Sequence, residues 1–147
     1  METVPKILLA EDNPADVLLV QEALRAAKIE CDLRVLNDGA LVVDFIEKLD
    51  AAGNPSELDL VLLDLHLPKR DGKEILTRLR STNHLADTPV VVLTGSPVRR
   101  DEQPHEKNDA ALHYFQKPMS LSGFMEIGVT VREILGRKAG GNQAMAQ

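Results

Sequence analysis

The sequence predicts an α/β domain in which helices cover both faces of a five-stranded parallel sheet, and three observations carry that prediction. The runs Leu58–Leu63 (LDLVLL) and Pro89–Leu93 (PVVVL) are apolar almost throughout, as strands are when neither face meets water. Strand-like runs alternate along the chain with segments whose apolar residues recur at helical spacing. Between them lie turn residues, among them Asn13-Pro14, Asn37-Asp38-Gly39 and Gly95-Ser96-Pro97.

The elements follow in order. Lys6–Ala10 (KILLA) reads as the first strand, broken by Glu11, Asp12, Asn13 and Pro14. From Ala15 to Lys28 a stripe of Val17, Val20, Leu24 and Ala27 predicts the first helix. Pro14 suits an early helical position, and Asp16 suits the positive N-terminus. Cys31, Leu33 and Val35 alternate with Asp32 and Arg34, the period-two pattern of an edge strand. Asp38 then caps a second helix with Leu41, Val42, Phe45, Ile46 and Leu49 on its buried face, and Ala51–Glu57 reads as a loop. The third strand, Leu58–Leu63, delivers Asp64 at its C-terminal end. After a KRDG turn, Ile75, Leu76 and Leu79 mark a helix over Lys73–Arg80. The fourth strand ends at Thr94.

Residues 98–109 hold almost no apolar side chains and carry Pro104, so the fourth helix region is expected to be irregular. Ala111–Gln116 (ALHYFQ) predicts the fifth strand, ending at Lys117-Pro118. Ser120 caps a last helix through Leu135, with Phe124, Ile127, Val131, Ile134 and Leu135 facing the core. One domain over residues 5–136 is expected, followed by a fraying tail over 137–147.

Composition narrows the function. The 147 residues include 44% hydrophobic ones, enough for one core and too few for a second domain. Acidic residues outnumber basic ones, 23 to 17, which argues against a nucleic-acid interface. The N-terminal apolar run is too short to span a membrane and lacks a cleavage pattern, so a cytoplasmic protein without membrane attachment is expected. The single cysteine, Cys31, has no partner for a disulfide and reads as a small packing residue. His66, His84, His105 and His113 lack the spacing of a histidine metal site.

Doubly wound parallel sheets bind ligands beyond the C-terminal ends of their strands. Taking the known flavodoxin-like order 2-1-3-4-5, the ends of strands one, three, four and five lie together. That brings Glu11, Asp12, Asp64, Thr94 and Lys117 to one edge. Crowded carboxylates call for a cation, and oxygen donors of this kind suit Mg²⁺.

The segments KILLAEDNPAD, LVLLDLHLPKRDG, PVVVLTG and YFQKP resemble, in order and spacing, those of response regulator receiver domains. Similarity extends over about residues 5–136, and the opening, the 51–57 loop and the LPKRDG turn look most like stand-alone regulators paired with phytochrome kinases. The resemblance implies a CheY-like (βα)5 fold in which Asp64 is the phospho-acceptor. It further implies that Glu11, Asp12, Asp64 and the backbone carbonyl of His66 hold Mg²⁺, with Lys117 contacting the phosphoryl oxygens. Thr94 and Tyr114 match the switch pair. Implied partners are a sensor histidine kinase, of bacteriophytochrome type, or a phosphotransfer protein, and a homodimer. His66 and Ser96 are expected to affect the lifetime of the phosphorylated state. The protein would then be a relay that assists its own phosphorylation and dephosphorylation, and not a metabolic enzyme.

Two other functions fit the fold class. A phosphate-independent binding module would keep the fold without the switch, against which the complete set of Glu11, Asp12, Asp64, Thr94 and Lys117 speaks. A flavodoxin-like electron carrier is disfavoured because the turns are acidic and the chain has no Trp and one Tyr.

Overall fold

A computed structural model describes residues 4–54, 57–95 and 110–146, with side chains to residue 137. The elements are β1 (Lys6–Ala10), α1 (Pro14–Ala26), β2 (Asp32–Leu36), α2 (Gly39–Ala52), β3 (Leu60–Asp64), α3 (Gly72–Arg80), β4 (Val90–Thr94), β5 (Leu112–Gln116), α4 (Leu121–Phe124) and α5 (Glu126–Ala146). All strand pairs are parallel, in the order β2-β1-β3-β4-β5. The order reverses between β1 and β3, which opens a crevice at their C-terminal ends.

The pleat sends successive side chains to opposite faces, and each face has its own core. Leu8, Ala10, Val61, Leu63, Val90 and Val92 pack under α2 and α3 with Ile46, Ile75, Leu76 and Leu79. Ile7, Leu9, Leu60, Leu62, Val91 and Leu93 pack under α1 and α5 with Val20, Leu24, Ile127 and Val131. β3 and β4 are buried along their whole length, whereas edge strand β2 is largely exposed, as its alternating sequence predicts.

The helix starts are chemically specified. Asn13, Asp38, Asp71 and Ser120 each accept a backbone N–H of the first turn of α1, α2, α3 and α4. α2 runs two residues into the expected loop, to Ala52.

The last helix departs further from the sequence reading. Ser120 caps only the single turn of α4, a turn at Met125 interrupts the helix, and α5 then continues to Ala146 in place of an end at Leu135. Residues 136–146 contain no proline, and glycine lowers helix propensity without forbidding the conformation, so nothing local stops α5. Among its side chains that the structure describes, which run to Arg137, the last buried one is Ile134. The segment 98–109, expected to be irregular, and Ser96 lie outside the described residues.

Candidate functional site

Four chain segments meet in the crevice. β1 ends immediately before Glu11 and Asp12, β3 ends on Asp64, β4 ends on Thr94, and Lys117 follows β5. Glu11, Asp64 and Thr94 are buried, while Asp12 is exposed. One carboxylate oxygen from each of Glu11, Asp12 and Asp64 lies within 4.8 Å of the others. A divalent cation prefers such a donor set: hard oxygens, clustered, with one open side for water.

The electrostatics point the same way. Glu11 has both oxygens engaged, Oε1 by the Asn13 N–H at 3.2 Å and Oε2 by Lys117 Nζ at 2.7 Å. Burial and, behind it, the neighbouring Asp64 charge nevertheless raise its pKa from the ordinary 4.5 to about 7, outweighing those two contacts. With Asp12, Asp16 and Asp64 close by, Glu11 belongs to a group of carboxyl groups that outnumbers the Lys117 ammonium. The donor chemistry fits a divalent cation.

Lys117 is held at three distances: 2.7 Å to Glu11 Oε2, 2.8 Å to Asp16 Oδ2 and 3.7 Å to Asp64 Oδ2. Burial would lower the ammonium's pKa, but its hydrogen bonds to Asp16 and Glu11 and the Asp64 charge prevail, and the net shift is upward. The lysine is a permanent cation at neutral pH. Its backbone N–H donates to the Thr94 carbonyl at 2.6 Å, which ties the end of β5 to the end of β4.

The loop after β3 is fixed by its backbone. Asp64 Oδ1 accepts the His66 N–H at 3.0 Å, and the Gly72 N–H reaches the Leu65 carbonyl at 2.9 Å. A Cβ on Gly72 would stand 2.6 Å from Leu65 Cα and 2.9 Å from the Asp64 carbonyl, so only glycine lets α3 start this close to the end of β3. The loop also leans on the start of α2. The Gly39 N–H donates to the Pro68 carbonyl at 2.9 Å, and Lys69 lies 3.3 Å from the Asp38 carboxylate.

Thus Glu11, Asp12, Asp64, Thr94 and Lys117 come together as the strand-end argument predicts, with the His66 backbone beside them. Tyr114 is not at a strand end. It lies two residues from the end of β5, paired in register with Val92, and its partly buried ring packs against the core under α2 and α3. The sequence reading gave Asp16 only a helix-start role and missed its contact with Lys117. Asp16 lies in the first turn of α1, directly after the acidic end of β1, and that placement was the available signal.

The sequence pattern of the response regulator receiver domain matches residues 7–127. The chain belongs to that family. As a receiver it is similar to the response regulator Rcp1 of Synechocystis sp., with 39% identity over 108 residues that cover 74% of this chain and 68% of Rcp1. Its fold is similar to that of the phosphorylated cyanobacterial phytochrome response regulator RcpA, with a TM-score of 0.74 and 35% identity, covering 89% of this chain and 93% of RcpA. The Mn²⁺-bound form of Rcp1 matches with a TM-score of 0.68 and 34% identity, over 84% of this chain and 89% of that one. The receiver's described residues include no helix long and apolar enough to cross a membrane.

Proposed function

We propose that this receiver is a response regulator that takes a phosphoryl group on Asp64 from a phosphohistidine of a separate sensor kinase, of the phytochrome class, or from a phosphotransfer protein. The observation that carries the reading is the convergence of Glu11, Asp12, Asp64 and Lys117 at the C-terminal edge of the sheet. The similarity to RcpA and Rcp1 supports the choice of kinase class.

In the transfer an Asp64 carboxylate oxygen attacks phosphorus and forms a P–O bond. The P–N bond to the donor imidazole breaks, its electron pair leaves with the imidazole nitrogen, and an acyl phosphate results. Phosphoryl transfer needs positioning and charge stabilisation more than covalent help from the protein. The His66 N–H on Asp64 Oδ1 orients the carboxylate, and leaves Oδ2 on the side of Lys117. Lys117 then supplies fixed positive charge to the phosphoryl oxygens. Glu11, Asp12, Asp64 and the His66 carbonyl would hold Mg²⁺, which when bound neutralises charge on the transferring group. Slow hydrolysis at the same site returns Asp64 to its free form, so the protein is a relay that assists its own reactions.

Thr94, buried beside the site, acts as the hydroxyl that bonds the new phosphoryl oxygen, and Tyr114 on the adjoining strand repacks in response. The output is a changed binding face, read by a partner or by a second copy of the chain in the cytoplasm.

Intact-protein mass spectrometry after treatment with acetyl phosphate tests this. Wild type should gain one phosphoryl mass only with Mg²⁺ present, and Asp64→Asn should gain none. A folded wild-type protein that remains unmodified, and fails to respond to beryllofluoride, would point to a phosphate-independent binding module on a receiver fold.

A further inference from the structure

Lys117 is held by two carboxylates, and only one of them belongs to the acidic cluster. Glu11 Oε2 and Asp16 Oδ2 sit 2.7 and 2.8 Å from its ammonium, while the nearest Asp64 oxygen stands at 3.7 Å, outside hydrogen-bond distance. An ammonium has three N–H donors. Two are spent on Glu11 and Asp16, and one is left for whatever occupies the space beside Asp64.

The two anchors come from different elements. Glu11 follows β1, and Asp16 lies in the first turn of α1, whose start is fixed by the Asn13 cap and Pro14. A lysine stem is long and flexible, and a single carboxylate fixes its head only to an arc. A second carboxylate on a rigid helix fixes it to a point. All the participants are shielded, with 14% of the Lys117 side chain and 19% of the Asp16 side chain exposed. This is not one of the surface ion pairs whose geometry is averaged away.

We propose that Asp16 is the positioning residue for Lys117: it seats the ammonium a short step from Asp64, so that a phosphoryl group added there meets an N–H already in place. The inference rests on the acceptor reading of Asp64. It goes beyond that reading in giving the helix α1 a part in the chemistry. Without Asp16 the ammonium pivots on Glu11 and must be ordered during each transfer, which slows labelling without removing any group that touches phosphorus.

Asp16 also complements the positive N-terminus of α1, and the test must separate the two roles. Wild type, Asp16→Asn, Asp16→Glu, Lys117→Ala and the Asp16→Asn/Lys117→Ala double variant are compared by two measurements. The first is the ¹⁵N signal of the Lys117 ammonium in protein that has seen no phosphoryl donor. A slowly exchanging signal is expected in wild type and in Asp16→Glu, and its loss is expected in Asp16→Asn. The second is the rate of Asp64 labelling by acetyl phosphate at saturating Mg²⁺. Asp16→Asn should slow it about tenfold and Asp16→Glu should restore it to within about threefold, whereas Asp16→Asn should add nothing in the Lys117→Ala background.

An Asp16→Asn protein that keeps the ammonium signal and labels at the wild-type rate overturns the proposal. So does a loss of equal size in the Lys117→Ala background, which would leave Asp16 a helix-start or long-range charge effect. A wild-type protein that takes no phosphoryl group, yet loses the ammonium signal on Asp16→Asn, defeats the acceptor reading and upholds the seat.

Discussion

Glu11 is the side chain through which pH reaches this site. Burial raises its pKa to about 7 from 4.5, ahead of the Asp64 charge and against the Lys117 and Asn13 contacts. The native protein therefore keeps, between those two values, a proton that the unfolded chain has lost. Its contribution to stability is complete below pH 4.5 and is lost as pH rises through 7. A cation arriving among Glu11, Asp12 and Asp64 must displace that proton, so binding releases it and weakens in acid. We predict that the Mg²⁺ dissociation constant, measured by calorimetry, rises about tenfold from about pH 8 to about pH 6, and that Glu11→Gln flattens the profile. A wild-type constant that does not change over this range would contradict the assignment. At this scale the sequence reading found the acids, Thr94 and Lys117, because each ends or follows an apolar strand. It missed the Asp16–Lys117 contact because the partners are 101 positions apart and meet only when α1 packs beside the end of β5.

At the scale of elements, the strands were the most legible feature. A run such as PVVVL has one physical explanation, burial on both faces, and the observed β4 differs from it by a single residue at each end. The last helix was less legible. An unbroken apolar stripe from Phe124 to Leu135 gives no sign of the turn at Met125, where α4 ends and α5 begins. The loop between β3 and α3 depends on close approach more than on pattern. For Gly72→Ala the added Cβ would meet backbone at 2.6 and 2.9 Å, neither of which can rotate away. We predict a loss of about 1–3 kcal/mol in urea unfolding, together with weaker Mg²⁺ binding because Asp64 and His66 move with the loop. Stability equal to wild type would contradict the packing described for Gly72. Beyond Leu135 the helix continues, but among the side chains described, to Arg137, the last buried one is Ile134, and a Cβ on Gly136 would meet nothing within 4 Å. We propose that the folded unit is residues 5–136 and that 137–147 is a tail that adds little to its stability. Deleting 137–147 should then change the melting temperature by less than about 2 °C, and a fall of more than about 5 °C would place the extension within the folded unit.

For the whole molecule, function follows from where the strand order reverses. Order β2-β1-β3-β4-β5 sets β1 beside β3, which joins Glu11 and Asp12 to Asp64, and puts β4 and β5 next in line with Thr94 and Lys117. A small charge event at this edge can bias the packing of the last two strands, since Lys117 and Thr94 are already joined through the backbone. We predict that beryllofluoride with Mg²⁺ changes the sedimentation behaviour or partner binding of wild type and leaves Asp64→Asn unchanged; equal behaviour of the two proteins would dissociate the site from the output face. The most direct test is chemical capture of the acceptor itself. Borohydride reduces an aspartyl phosphate to homoserine, so protein treated with acetyl phosphate and then borohydride should carry homoserine at position 64, in the presence of Mg²⁺ only, when its peptides are mapped by mass. Homoserine at another aspartate, or none in a folded and Mg²⁺-loaded protein, would contradict the assignment of Asp64 as the acceptor.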